Sequence, residues 1–411
     1  MRVPGDRTAS RLALILAGLA RGESTIEHLA GGPDAKALVQ ALRQLGVAIV
    51  PKGKSWTVQG LGMGGLLAPE GAIDLAAMGD GALLLMALLG VQSFASELAG
   101  YVPTPMGEAL LDFLGRTGTE VQRKDGTIHL KGPRFALPLD LRLPPEAPAL
   151  KAPLILAALV TAGTSYLRLP ADPDDDAFAA FGATLSTSPE EDGVRLAIEG
   201  AGALHSARVA VPSDPVYAAF PTVAALIAPD SEIAIDAVAV SPQRMAVLDA
   251  LKLMGADIAM PPAKQGGRDA VDLVARHSKL KGTVIPADLG VETEDFAVLA
   301  AAAAFAQGET LFEGLGEGLG RLNLTRALRA NGVECEEREA GLLIRGGSKV
   351  PGGGNVSTRL DPKLGMAFLV LGLGADKPVT IDDGAVMAEV FPDFVPQFEH
   401  VGCRFITGKA N

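Results

Sequence analysis

ALRQLGVAIV (residues 41–50), FLGRTGTEVQ (113–122), AAFGATLS (179–186), ALKLMGADIAM (250–260), ALRANGVECEE (327–337) and FEHVGCRFIT (398–407) repeat one pattern: the end of a helix, a glycine, and the start of a strand. The glycines, Gly46, Gly118, Gly182, Gly255, Gly332 and Gly402, stand 64 to 77 residues apart. Glycine just beyond a helix supplies the left-handed residue that closes it. Each repeat also holds a far more apolar stretch: LALILAGLA from Leu12, ALLLMALLG from Ala82, APLILAALV from Ala152, AAFPTVAALIA from Ala218, DFAVLAAAAAFA from Asp295 and GMAFLVLGLGA from Gly365. A helix apolar nearly all round is buried on every side. After five of the six comes a short alternating strand: STIEHL from Ser24, SYLRL from Ser165, SEIAI from Ser231, TLFEGL from Thr310 and PVTIDD from Pro378. Six such units predict an α/β protein with three buried helices in each of two globules. A solenoid is the rival reading, but solenoid repeats run to roughly 20–45 residues, and these helices lack the polar face of a stacked array.

Composition narrows the function. The 411 residues carry 36 Lys+Arg against 48 Asp+Glu, a net charge of −12. Such a chain gains nothing from counterion release on a polyphosphate, which argues against nucleic acid as a partner. Hydrophobic residues make up 48% and charged ones 20%, the balance of a packed globular protein. The N-terminus lacks the basic-then-apolar order of an export signal, and the run from Phe296 to Ala306 is too short for a bilayer span. No membrane association is expected. Cys335 and Cys403 fit a reducing cytoplasm rather than a disulfide framework, and the five histidines show no metal-ligand spacing. Neither a metal nor a cofactor is expected.

The segment PGDRTASRLALILAGLARGESTIEHL (4–29), taken with the sixfold pattern, resembles the EPSP synthases of the enolpyruvyl transferase family. PMGEALLDFL from Pro105, VPSDPVYAAFPTVAALIAPDSEIAI from Val211, LDALKLMGADI from Leu248, FAVLAAAAAFAQGETLFEG from Phe296, LRANGVECEE from Leu328 and the stretch from Met366 through FPDF are similar in order and spacing. The resemblance covers essentially the whole chain. It implies an inside-out two-domain α/β barrel of six βαβαββ-type repeats, with residues 6–211 as one domain, 1–5 plus 212–411 as the other, and the active site in the cleft between them. Family members carry a strand before the PGD segment where only Met1 to Val3 stand here, so the second domain lacks an edge strand or pairs it differently.

The family transfers the enolpyruvyl group of phosphoenolpyruvate to shikimate 3-phosphate, two polyanions that call for a ring of Arg and Lys and carboxylates to move protons. The family's PGDKSISHR stands here as PGDRTASRL, which places Arg7 and Thr8 in the substrate-binding positions, Arg11 beside them, and Leu12 where the shikimate-binding arginine belongs. The phosphoenolpyruvate loop matches the segment around Gly79, with Ala77 for its asparagine, Asp80 nearby and Leu83 for its arginine. The RPMG arginine becomes Thr104. The SSQ contacts become Ala147, Pro148 and Ala149, while Lys151 still matches a family lysine. In the second half, Glu294, next to Asp295, matches the proton-transfer aspartate. Glu317 alone survives of KESDR, with Arg321 one position beyond the lost arginine. Asp361 is kept, Lys363 replaces an arginine, and Glu389 stands for the late lysine.

These departures lead to the expectation of a divergent member with a degenerate active site, its substrate-anion clamp largely lost and its standard catalysis altered or absent. Each lost bidentate contact to a bound phosphate costs roughly 2–5 kcal/mol, and Leu12, Leu83 and Thr104 have lost theirs together. Such a protein would bind a less charged ligand or serve as a non-catalytic partner of another protein. The alternative is an active 3-phosphoshikimate 1-carboxyvinyltransferase of the shikimate pathway to aromatic amino acids. Its rearranged site would use Arg7, Arg11, Lys151, Arg244, Arg321 and Lys363, with Glu317 and Glu294 for proton transfer. The UDP-N-acetylglucosamine branch is less similar, because its reactive-cysteine loop has no counterpart. Several of these residues have plainer readings: Arg7, Thr8 and Arg11 as a charged helix start, Glu294 as a first-turn acid favoured by the helix dipole, and Asp172, Asp174, Asp175 and Asp176 as a solvated cap.

Overall fold

A computed structural model describes residues 1–170, 176–240, 244–264, 270–339 and 341–406, so Asp172, Asp174 and Asp175 of the acidic run lie outside the described residues. All six apolar stretches form helices: Arg7–Leu19, Gly81–Gly90, Lys151–Val160, Pro215–Ile227, Phe296–Phe305 and Pro362–Gly374. Gly81–Gly90 and Pro215–Ile227 are buried at every residue. Contacts divide the chain into two compact units, Arg7–Val211 and Met1–Asp6 with Pro212–Asn411. Each unit holds three of the apolar helices and one continuous hydrophobic core.

The six repeat glycines have φ between 75° and 99°, the left-handed region that a Cβ disfavours. In every repeat the glycine N–H reaches back three residues and the next N–H reaches back five, as in Gly46 to Arg43 with Val47 to Leu42, and Gly332 to Arg329 with Val333 to Leu328. This is the Schellman closure, and it satisfies the last helix carbonyls before the chain turns into a strand.

In the Arg7–Val211 unit each sheet has one order: a short edge strand, the strand after the apolar helix in parallel with it, then the two strands of an antiparallel hairpin. For the second repeat these are Ile73–Asp74, Ala95–Ala99, Thr127–Lys131 and Glu120–Lys124. Ala95–Ala99 is the sixth post-helix strand, which the sequence pattern did not disclose. The edge strand of the first repeat, Arg208–Ala210, comes from the far end of the unit and pairs in parallel with Arg21–Glu27, so the last segment closes on the first.

The second unit follows the same plan with two differences. Beside Glu232–Ala239 the edge position is taken by the N-terminal residues: the Met1 ammonium donates to Ala234 O at 2.9 Å and Asp236 N donates to Met1 O at 2.9 Å, the ladder of a parallel pair. The N-terminal residues therefore pair with this sheet. The strand expected after Gly402 is not formed among the described residues. Among the described residues Thr380–Ile381 pairs with Asn355–Val356 alone, and Cys403–Ile406 joins no ladder. Phe391, Phe394, Phe398 and Phe405 instead cluster with Tyr217 and Phe220 and seal that side of the core.

Two glycine substitutions separate backbone strain from crowding. At Gly255, φ 85°, an added Cβ meets nothing within 4 Å, whereas at Gly332, φ 75°, it lies 2.7 Å from Pro351 Cγ. Gly255→Ala is expected to cost about 1–2 kcal/mol from the left-handed conformation alone. Gly332→Ala is expected to cost about 1–3 kcal/mol more. Urea midpoints at constant slope measure both, and equal losses would reject the crowding account.

Candidate functional site

In the second unit the site is built where two apolar helices begin. Asp361 caps Pro362–Gly374: its Oδ1 accepts from the Lys363 and Leu364 amides at 2.9 and 3.1 Å, with Pro362 in the first turn. That cap fixes Lys363, whose buried Nζ donates to Glu294 Oε1 and Asp295 Oδ1, both at 2.5 Å. Glu294 and Asp295 lie on the short turn Thr293–Asp295 that leads into Phe296–Phe305. One lysine thus laces two helix starts together. Burial pushes the Asp295 carboxyl up while Lys363 pulls it back. Burial also pushes Asp361 up, against the Leu364 and Lys363 amide bonds.

A cavity of about 350 Å³ opens beside this cluster. Glu292, Glu294 and Asp361 supply its charge, Thr293 a hydroxyl, and Ala297, Leu315, Leu324 and Leu364 its apolar wall. The charged groups on its wall are all carboxylates, an arrangement that accepts hydrogen bonds from hydroxyls or ammonium groups and repels phosphate. Glu317 is not among the lining residues. It is exposed, 3.6 Å from Arg321, so the structure does not bring the Glu294–Glu317 pair to one wall. Arg321 is turned inward: its Nη1 donates to Leu315 O at 3.3 Å and Arg338 O at 3.1 Å, and its Nε lies 3.6 Å from Glu337. Arg244 sits elsewhere in the same unit, between Asp6 and Asp214.

In the first unit Arg7, Thr8 and Arg11 lie on Arg7–Leu19. Arg11 is buried and paired with Asp34, a partner that sequence spacing gave no signal for. Its stem runs beside Gly81, where a Cβ would come 3.2 Å from Arg11 Cδ, and its Nη2 lies 3.8 Å from the Cβ position of Gly79. Arg11 and Gly79 are therefore neighbours. The first amides of Gly81–Gly90 are already used, since those of Gly81, Ala82 and Leu83 donate to Met78, Gly79 and Asp80 carbonyls at 3.0–3.1 Å. Lys151 opens Lys151–Val160 and is half-buried, while Thr8 is exposed. Among the described residues no group of His, Cys, Asp and Glu gathers in a way that could hold a metal ion, and no helix is long and apolar enough to cross a membrane.

The family model of EPSP synthase (3-phosphoshikimate 1-carboxyvinyltransferase) matches residues 1–398. The chain belongs to the EPSP synthase family. It is 38% identical over 423 residues to the 3-phosphoshikimate 1-carboxyvinyltransferase of Pseudomonas sp. (strain PG2982), covering 98% of this chain and 94% of that one. It is also 38% identical over 429 residues to that of Brucella canis, covering 100% and 95%. EPSP synthase from Acinetobacter baumannii superposes with a TM-score of 0.83 at 29% identity, over 100% of this chain and 97% of the other. The enolpyruvyl transferase NikO from Streptomyces tendae shares the fold, with a TM-score of 0.71 at 20% identity over 98% and 94%.

Set in the EPSP synthase fold, the three positions that lack the expected arginine all serve the protein itself. Leu12 and Leu83 are 7% and 6% exposed and belong to the first unit's core. Thr104 caps Pro105–Arg116, its hydroxyl accepting from Gly107 N at 3.1 Å.

The Lys363 cluster makes a pH-dependent prediction. Lys363→Met would leave Asp295 buried without its cation and is expected to cost about 3–5 kcal/mol at pH 7. A carboxyl whose folded pKa is raised binds its proton more tightly folded than unfolded, so the deficit should shrink as pH falls through the raised range. Urea unfolding of both proteins at pH 7 and pH 5 measures this, and a pH-independent deficit would contradict it.

Proposed function

We propose that this EPSP synthase family member binds a ligand with less negative charge than phosphoenolpyruvate or shikimate 3-phosphate, and that its standard carboxyvinyl transfer is altered or absent. The observation that carries the reading is that four of its candidate cations are each neutralised by carboxylates of their own unit. Arg11 faces Asp34, Arg244 faces Asp6 and Asp214, Arg321 faces Glu317 and Glu337, and Lys363 faces Glu294 and Asp295. Lys363 already spends two of its three ammonium donors on Glu294 and the buried Asp295, so a phosphate beside it would face the charge of both carboxylates. This reading assigns Arg7, Thr8, Gly79 and Lys151 to the anionic part of the ligand, with Glu294 and Asp361 as hydrogen-bond acceptors for a polyol or amine. Glu317 has no assigned part in it.

The rival reading is an active 3-phosphoshikimate 1-carboxyvinyltransferase with a rearranged cationic site. It is favoured by relatives of that name that match at full length, and by Glu294, Asp361 and Lys363 lying within one cluster. Phosphate release in the presence of both substrates, together with calorimetric titration of shikimate 3-phosphate, decides between the two. No release above background and a dissociation constant weaker than about 1 mM, or −4 kcal/mol, are expected. Turnover with micromolar binding would overturn the proposal.

A further inference from the structure

Arg244 has the geometry of a structural clamp at the place where the chain passes between its two units. The chain leaves the second unit at Asp6 and returns to it at Pro212. The departing and returning segments carry related sequences, Pro4-Gly5-Asp6 and Pro212-Ser213-Asp214, and pair antiparallel about Gly5 and Ser213. Asp6 N donates to Pro212 O at 2.7 Å and Asp214 N to Pro4 O at 2.9 Å. The two aspartates emerge on either side of that bridge, and the Arg244 guanidinium meets both: Nη2 donates to Asp214 Oδ2 at 2.6 Å, and Nε lies 3.2 Å from Asp6 Oδ2. Exposure of these side chains is 15% for Arg244, 6% for Asp6 and 0% for Asp214.

The same bridge is keyed into the sheet beside it. Glu232–Ala239 breaks register between Ile235 and Val238, and Ala237 is buried at φ 49°, a conformation rare for a residue with a side chain. Ser213 fills that bulge: its N–H donates to Ala237 O at 2.6 Å, its carbonyl accepts from Ala239 N at 2.8 Å, and its hydroxyl donates to Asp236 O at 2.8 Å. Asp214 also starts a helix, its Oδ1 accepting from Val216 N at 2.9 Å. One carboxylate oxygen holds the helix and the other holds Arg244.

We propose that Arg244 is a positioning residue that locks the departing and returning strands together and keeps Met1–Asp6 seated on the second unit. Two buried carboxylates so close together repel, and the fork of the guanidinium answers them with separate nitrogens, Nη2 for Asp214 and Nε for Asp6. Burial opposes the charge on Arg244, yet Asp214 and Asp6 hold its pKa above the ordinary arginine value. This proposal does not rest on the ligand reading above, because it concerns bonds within one unit.

Hydrogen exchange on the full chain, read in peptides covering 1–14, 211–220 and 232–239, tests it. Arg244→Met should speed exchange of the Asp6, Ser213 and Asp214 amides by about 100-fold or more, with protection in Gly81–Gly90 and Gly341–Gly346 unchanged. Arg244→Lys, a point charge without the fork, should lose about tenfold, and it replaces the methionine variant if that one does not fold. The neutral triple variant Asp6→Asn, Asp214→Asn, Arg244→Met should recover most of the lost protection, which a side chain acting through bulk alone would not allow. Unchanged protection in Arg244→Lys, or no recovery in the triple variant, overturns the clamp. So does phosphate-dependent protection of the wild type that Arg244→Lys abolishes, which would make Arg244 an anion ligand.

Discussion

A helix that is apolar on every face has to be enclosed, and that constraint organises this protein. Ordinary amphipathic helices pack one stripe on a sheet and leave the rest in water. Pro215–Ile227 and Gly81–Gly90 have no face to leave in water, so each unit places its three apolar helices at the centre and its sheets around them. Enclosure explains why each repeat needs both a strand after the apolar helix and a second, amphipathic helix with a hairpin. It also explains the phenylalanine cluster: where the last repeat of the second unit has a two-stranded sheet among the described residues, Phe391, Phe394, Phe398 and Phe405 cover the core.

Enclosure puts a second constraint on charge. The helices that carry Arg11 and Lys363 near their starts take those cations into an apolar interior, where an unpaired charge is costly. The structure answers with carboxylates from neighbouring turns, Asp34 for Arg11 and Glu294 with Asp295 for Lys363. Leu12 and Leu83, which the sequence resemblance matches to arginines, lie in the first unit's core, where an arginine would have needed a counter-charge of the same kind.

The fold was legible in the sequence because its signals are local. A glycine that closes a helix is fixed by three or four neighbours, and all six took the left-handed conformation expected of them. The apolar stretches were equally plain. The strand Ala95–Ala99 was not, since its residues ASELA carry only two buried positions and no β-branched side chain. Nor was the irregular course of Cys403–Ile406 among the described residues, because strand formation depends on a partner far away in the chain. The site was legible in Glu294, Asp361 and Lys363, which the family pattern matches and the structure gathers. The part each candidate cation plays was not, because it depends on counter-charges at long range: Asp34 is 23 residues from Arg11 and Asp295 is 68 from Lys363.

The same long-range pairing sets what kind of ligand the second unit's cavity can take. Removing Lys363 from consideration as a free cation leaves Glu292, Glu294 and Asp361 to define the field inside about 350 Å³. Burial raises the Asp361 carboxyl, against the Leu364 and Lys363 amide bonds that it accepts. The carboxylates accept and the Thr293 hydroxyl can donate, against an apolar wall of Ala297, Leu315, Leu324 and Leu364, which is the chemistry on which the proposed polyol or amine ligand rests. It suits a phosphate only after at least one further cation is added, so within this fold electrostatic preference is decided by the partners of the lysine rather than by its presence.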